Sequence, residues 1–296
     1  MNEAVREIHT ESDITAYQDY LRGEWCEKTS SQIQEGTILK RLFIDLELSW
    51  RSTSYTAQLP ATSILAMHAA ALGRGKFASS DRTILAYSEK IVDELIQRLP
   101  GIAEICSMRS AITRELVIIS AETRDEIASK KEVGVPVELI WSEFMGTAPF
   151  RLSLWSSQRV SYVAFFNAYE VFLVNCLKVG TGRESLRSTV KEFKSALREG
   201  LDKDISEACW HHHDIRIVRD VRHALIHNGG RETKDLKTHN HGIRMCKSEL
   251  QIVPADIKRM LSLFMHAVDE IISVTRDNEK FKQPEGDYEL CRSDDE

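Results

Sequence analysis

The sequence predicts an all-α protein. Only 6 prolines and 14 glycines punctuate 296 residues. The long stretches between them are rich in Ala, Leu, Glu, Lys and Arg, and their apolar residues recur at helical spacing. Residues 1–30 are acidic and read as one or two short peripheral helices. From Gly36 onward, Ile38, Leu42, Leu46 and Leu48 mark a helix, and the Ser/Thr-rich run Ser52–Thr56 reads as a break. A second apolar helix follows around Ile64–Leu72, ended by Gly73-Arg74-Gly75 as glycine ends many helices. Ser80–Leu99 forms the next helix, with Asp81 as N-cap, Ile84, Tyr87, Ile91, Leu95 and Leu99 on one face, and Pro100-Gly101 as the stop. Another helix covers Ile102–Lys131.

The run from Lys130 to Pro136 breaks the periodicity and divides the chain into an N-terminal helical region, 1–133, and a second domain, 134–278. Helices are expected there at Val137–Phe144, Ser156–Lys178, Leu186–Glu199, Ile205–His227 and Pro254–Asn278. Residues 279–296 read as an acidic, disordered tail.

Composition bounds the function. With 42% hydrophobic and 28% charged residues, the chain can bury a core, which excludes disorder as its dominant state. Its length favours about two domains, since single cores stop growing near ~250 residues. A net charge of −6 excludes coating nucleic acid or an anionic membrane with the whole surface. The six cysteines are scattered without a CxxC, and Met1-Asn2-Glu3-Ala4 lacks a signal-peptide layout, so a reducing, cytoplasmic location is expected. The most apolar stretch, Val160–Leu177, is interrupted by Asn167, Glu170 and Asn175 and falls short of the ~20 apolar residues of a membrane span. It reads as a buried helix, and no membrane partner is expected.

The segment Ile215–Gly230 carries the chemistry. Ile215, Val218, Val221 and Leu225 form an apolar stripe, while Arg216, Arg219, Asp220, His223 and His227 form a polar one. Asn228-Gly229-Gly230 caps the helix and leaves His227 in the last turn, where free carbonyls favour the imidazolium and nearby arginines oppose it. A histidine so placed can exchange a proton near neutral pH.

Arg222-His223-Ala224-Leu225-Ile226-His227 resembles the R-x4-6-H motif of the HEPN superfamily, with Arg222 and His227 in the motif positions. His223 stands where a polar residue, most often Asn, follows the arginine, and His227-Asn228 resembles the common His-Asn ending. Phe166-Asn-Ala-Tyr-Glu-Val-Phe-Leu173 is similar to the first long helix of HEPN domains, in which a polar or acidic residue points toward the site; here Asn167 and Glu170 are the candidates. The resemblance covers about the C-terminal half. It implies a bundle of four to five helices that dimerises so that two motifs line one cleft, in many members a metal-independent endoribonuclease.

On that reading His227 serves as acid or base, Arg222 holds phosphate oxygens and His223 adds a second proton-transfer or phosphate contact. Asn167, Glu170, Arg219 and Asn228 support or bind substrate. The 2′-hydroxyl of RNA attacks the adjacent phosphate, leaving a 2′,3′-cyclic phosphate and a 5′-hydroxyl, with no cofactor and no metal. The implied partners are RNA, a second copy of the chain, and a regulatory protein acting through the N-terminal region. Prokaryotic antiviral defence and toxin effectors are among the family contexts. Gly229 stands where toxins silenced by a nucleotidyltransferase carry the target Tyr, which argues against that modification here.

Two other readings compete. One is a non-catalytic HEPN-like module that binds RNA, nucleotide or protein, with Arg222 merely pairing with Asp220 or Glu170. The other is a zinc site from Cys209, His211, His212, His213, His239, His241 and Cys246, whose irregular spacing matches no zinc pattern. No P-loop, GxGxxG or GxSxG element supports kinase, dehydrogenase or hydrolase chemistry.

Overall fold

The computed structural model describes residues 13–77, 88–89, 91–93, 109–120, 137–186, 190–201 and 205–284. The protein is all-α, with one small hairpin. After a 3-10 turn at Ile14–Tyr17 the helices are α1 (Gly23–Ser31), α2 (Ile38–Phe77), α3 (Val137–Gly146), α4 (Ala148–Thr181), α5 (Val190–Gly200), α6 (Ser206–Cys209), α7 (His213–His227), α8 (Lys234–Lys237) and α9 (Pro254–Thr275). Strands β1 (Arg244–Cys246) and β2 (Glu249–Gln251) pair antiparallel between α8 and α9. Residues 109–120 are also helical. The expected helices Ser80–Leu99 and Ile102–Lys131 and the break at Lys130–Pro136 otherwise lie largely outside the described residues, as do 1–12 and 285–296.

The chain divides into two compact units, and not at residue 133. Met1–Ala61 and Ser142–Glu296 form one unit, and Thr62–Trp141 forms the other. The reason lies in the first unit's core: Leu42, Phe43, Leu46 and Trp50 of α2 join the same buried cluster as Phe165, Tyr169 and Leu173 of α4 and Phe264 and Val268 of α9. Trp50 Nε1 donates to the Phe165 carbonyl at 3.2 Å.

At the centre of that unit is α4. Thr147, in extended conformation, and Pro149 start it; Gly182, at φ 70°, ends it with its N–H donating to the Lys178 carbonyl. It packs on α5, α7 and α9. By length and composition it passes for a membrane-crossing helix, yet half of its most apolar window is buried inside the protein. Its apolar circumference requires some polar groups to be buried and paired. Gln158 is such a group: it accepts from the Tyr20 hydroxyl at 2.7 Å and donates to the Ala57 carbonyl at 3.1 Å.

Several expectations need correction. No break occurs at Ser52–Thr56: Ser49, Thr53 and Thr56 turn their hydroxyls back onto the carbonyls four residues earlier, so the helix continues. It also continues through Pro60, which has no N–H to give the Thr56 carbonyl one turn earlier. The helix expected over Ile205–His227 is broken at Trp210, whose ring packs 4.6 Å from Phe193 and 6.4 Å from Phe166, and α7 restarts with His212 as its N-cap. Between the expected helices ending at His227 and starting at Pro254 the chain also forms α8 and the β1–β2 hairpin. The start of the expected tail is ordered: Phe281 is fully buried, and the carbonyls of Phe281 and Gln283 accept from Leu39 and Ile38 at the start of α2.

Candidate functional site

The candidate site is built on α7 and the face of α4 that it packs against. Ile215, Val218, Val221 and Leu225 are buried, as the apolar stripe requires. At the other end of the helix, Asn228 is the C-cap and the N–H groups of Asn228 and Gly230 both donate to the Ala224 carbonyl. Gly229 and Gly230 follow with φ of 61° and 84°, conformations that L side chains rarely adopt. The Gly230 carbonyl accepts from Leu250 at 2.7 Å, which ties the hairpin to the end of α7.

Arg222 meets both polar residues that interrupt α4. Its Nε and Nη2 donate to Asn167 Oδ1 at 3.2 and 3.0 Å, and Nη2 lies 3.8 Å from Glu170. The guanidinium also lies 5.5 Å from the Phe166 ring centroid. Burial raises the Glu170 pKa, while Arg222 and then Arg219 pull it down. Arg219 is half-buried over the Trp210 ring at 5.0 Å; burial lowers its pKa, Asp220 and Glu170 favour its charge, and Arg216 opposes it.

His223 and His227 occupy a different face. Both are exposed, and their rings lie 4.7 Å apart at 42°. No hydrogen bond joins Arg222 to His227. Five residues apart on an α-helix, the two positions are about 140° apart around the axis. The chain therefore brings together Arg222, Asn167 and Glu170, and separately His223 and His227, with Asn228 exposed beside the latter pair.

Asn167 also lines a groove of about 360 Å³ between α2 and α4, where Asp45, Ser49 and Asn175 supply the other polar groups. Sequence reasoning missed Asp45 and Ser49, because nothing in their spacing links them to a motif more than a hundred residues away.

No family model, curated protein or solved structure matches the chain. The site is therefore read from its own chemistry.

The cysteines and histidines weighed for zinc are dispersed. Among the described residues, no group of three or more His, Cys, Asp or Glu is arranged to hold a metal ion. Cys209 is buried with its thiol against the Ala267 carbonyl, and burial pushes that thiol's pKa up. His241 lies 3.0 Å from Glu232, His212 caps α7 through Nδ1, and His239 sits 5.5 Å from the His213 ring and 4.0 Å from Asp220. Cys246 lies on β1. What α7 and α4 do gather is a guanidinium fixed against Asn167 and Glu170 on one face of α7 and two exposed imidazoles on another, groups suited to phosphate binding and proton transfer respectively.

Proposed function

We propose that the chain is a metal-independent endoribonuclease of HEPN type that works as a homodimer. The observation that carries this reading is the fixing of Arg222 by Asn167 and Glu170 on the helix whose last two turns present His223 and His227. A guanidinium held through two of its N–H groups is pre-organised, and its remaining donors can take phosphate oxygens. An exposed imidazole can remove the 2′-hydroxyl proton or protonate the leaving 5′-oxygen. Because Arg222 and His227 diverge on one helix, a second copy of α7 is needed to set an imidazole opposite each arginine across a cleft.

The same contacts also favour a second reading, an RNA-binding module without chemistry, since Arg222 has partners within its own subunit. Cleavage assays separate the two. The wild type should cleave single-stranded RNA in EDTA. Arg222→Ala should slow cleavage by about 10²–10³-fold through loss of charge stabilisation, and His227→Ala by about 10²–10⁴-fold through loss of proton transfer. RNA binding without product across a broad panel of RNAs would favour the second reading.

A further inference from the structure

Arg219, one turn before Arg222 on α7, and Trp210 and His211, in the break between α6 and α7, each hold a buried polar atom with no hydrogen-bond partner within the chain: Arg219 Nη1, Trp210 Nε1 and His211 Nε2. They belong to one neighbourhood. The Arg219 guanidinium lies over the Trp210 ring, His211 follows Trp210 directly, and the charge of Arg219 opposes protonation of His211. Buried polar groups in folded proteins are nearly always satisfied by protein, water or ligand, and a cation buried without a full set of partners is costly. Three such atoms on adjoining residues leave hydrogen-bonding capacity that water or a bound group can take up.

The chemistry of the three atoms selects what that is. Arg219 Nη1 and Trp210 Nε1 are donors only, and His211 Nε2 donates in one tautomer. Charges of both signs surround them: Glu207 on α6 acts on His211, against Arg219, Lys194 and Arg216. Asp220 and Glu170 act on Arg219, but Glu170 is already engaged with Arg222. A group offering several acceptor oxygens and a negative charge meets these requirements, and a tetrahedral phosphate does so through more than one oxygen.

We propose that Arg219, Trp210 and His211 form a phosphate-binding subsite beside Arg222. Resting on the ribonuclease reading, the subsite takes a neighbouring phosphate of the strand whose reacting phosphate Arg222 holds. Residues three apart on a helix share a face, so the two arginines follow one backbone and set the register of the RNA.

The test is calorimetric titration of inorganic phosphate, in phosphate-free buffer, into the wild type, Arg219→Gln and Trp210→Phe, followed by steady-state kinetics on a short RNA. Arg219→Gln should weaken phosphate binding on the order of tenfold or more, as loss of a charge-assisted bond does. Trp210→Phe keeps an aromatic ring under the guanidinium and removes only one neutral donor, so it should weaken binding by roughly threefold to tenfold. With RNA, Arg219→Gln should raise KM and reduce by about one the slope of log affinity against log salt, whereas Arg222→Ala acts chiefly on kcat.

Equal phosphate affinity in all three proteins, or no saturable binding by the wild type, would overturn the subsite and leave water as the occupant, whatever RNA cleavage shows. Phosphate binding that depends on Arg219 and Trp210 in a protein that cleaves no RNA would uphold the subsite and remove the ribonuclease reading.

Discussion

Glu170 sits half-buried on an apolar helix, and burial raises its pKa despite the pull of Arg222 and Arg219. The folded protein therefore holds the Glu170 proton more tightly than the unfolded chain does. Stability from this group is present below the unfolded pKa, near 4.5, and is lost as pH rises through the higher folded value. Urea unfolding should accordingly show the wild type losing stability relative to Glu170→Gln as pH is raised from 4.5 toward neutrality; a gap that does not change with pH would contradict the assignment. Gly230 makes a separate prediction. Its φ is 84°, and a Cβ there would run into the Arg159 guanidinium. Gly230→Ala should cost about 1–2 kcal/mol for the left-handed conformation alone, plus the displacement of Arg159, read as a lower urea midpoint. Asn167, Glu170 and the glycine cap were legible in the sequence, because polar residues inside an apolar helix and glycines after its last turn have few physical explanations. The burial of Trp210 was not legible, since it depends on Phe193 and Phe166 arriving from other helices.

Most helices were legible from periodicity, and the failures have local causes. Hydroxyls that bond back to the preceding turn let α2 run through a Ser/Thr-rich stretch that reads as a break. The hairpin was missed because its strands are only three residues long and its two-residue turn, Lys247-Ser248, adopts φ of 46° and 69° without the Asn or Gly that usually marks such turns. Phe281 looked like part of an acidic tail; composition gives no weight to one aromatic residue, while the fold buries it completely and uses the adjoining main chain to hold the start of α2. Phe281→Ala should therefore destabilise the protein by about 3–5 kcal/mol, in the range of buried phenylalanine truncations. A truly disordered tail would show no change in the unfolding midpoint.

The net charge of −6 belongs to the whole chain and not to the segment that carries the candidate site. From Ile215 to Lys247, eight basic residues meet only Asp220, Glu232 and Asp235, so the segment that carries the candidate site is locally cationic. Such a patch can engage a polyanion while an acidic periphery limits indiscriminate binding. The all-α class follows from hydrophobic pattern, and the approach of Asn167 and Glu170 to the site is what the family resemblance implies, whereas the grouping of residues 13–61 with the C-terminal part follows from neither, because Leu42, Phe43 and Trp50 carry no mark of the helix they will pack against. The dimeric cleft is the proposal on which the chemistry depends. Its most direct test is end-group analysis of a single-stranded RNA incubated with the protein in EDTA, in parallel with the same RNA bearing 2′-O-methyl groups. In-line attack by the 2′-hydroxyl predicts 2′,3′-cyclic phosphate and 5′-hydroxyl ends from the first RNA and no cleavage of the second. Products ending in 3′-hydroxyl, cleavage of the methylated RNA, or undiminished cleavage by both Arg222→Ala and His227→Ala would contradict it.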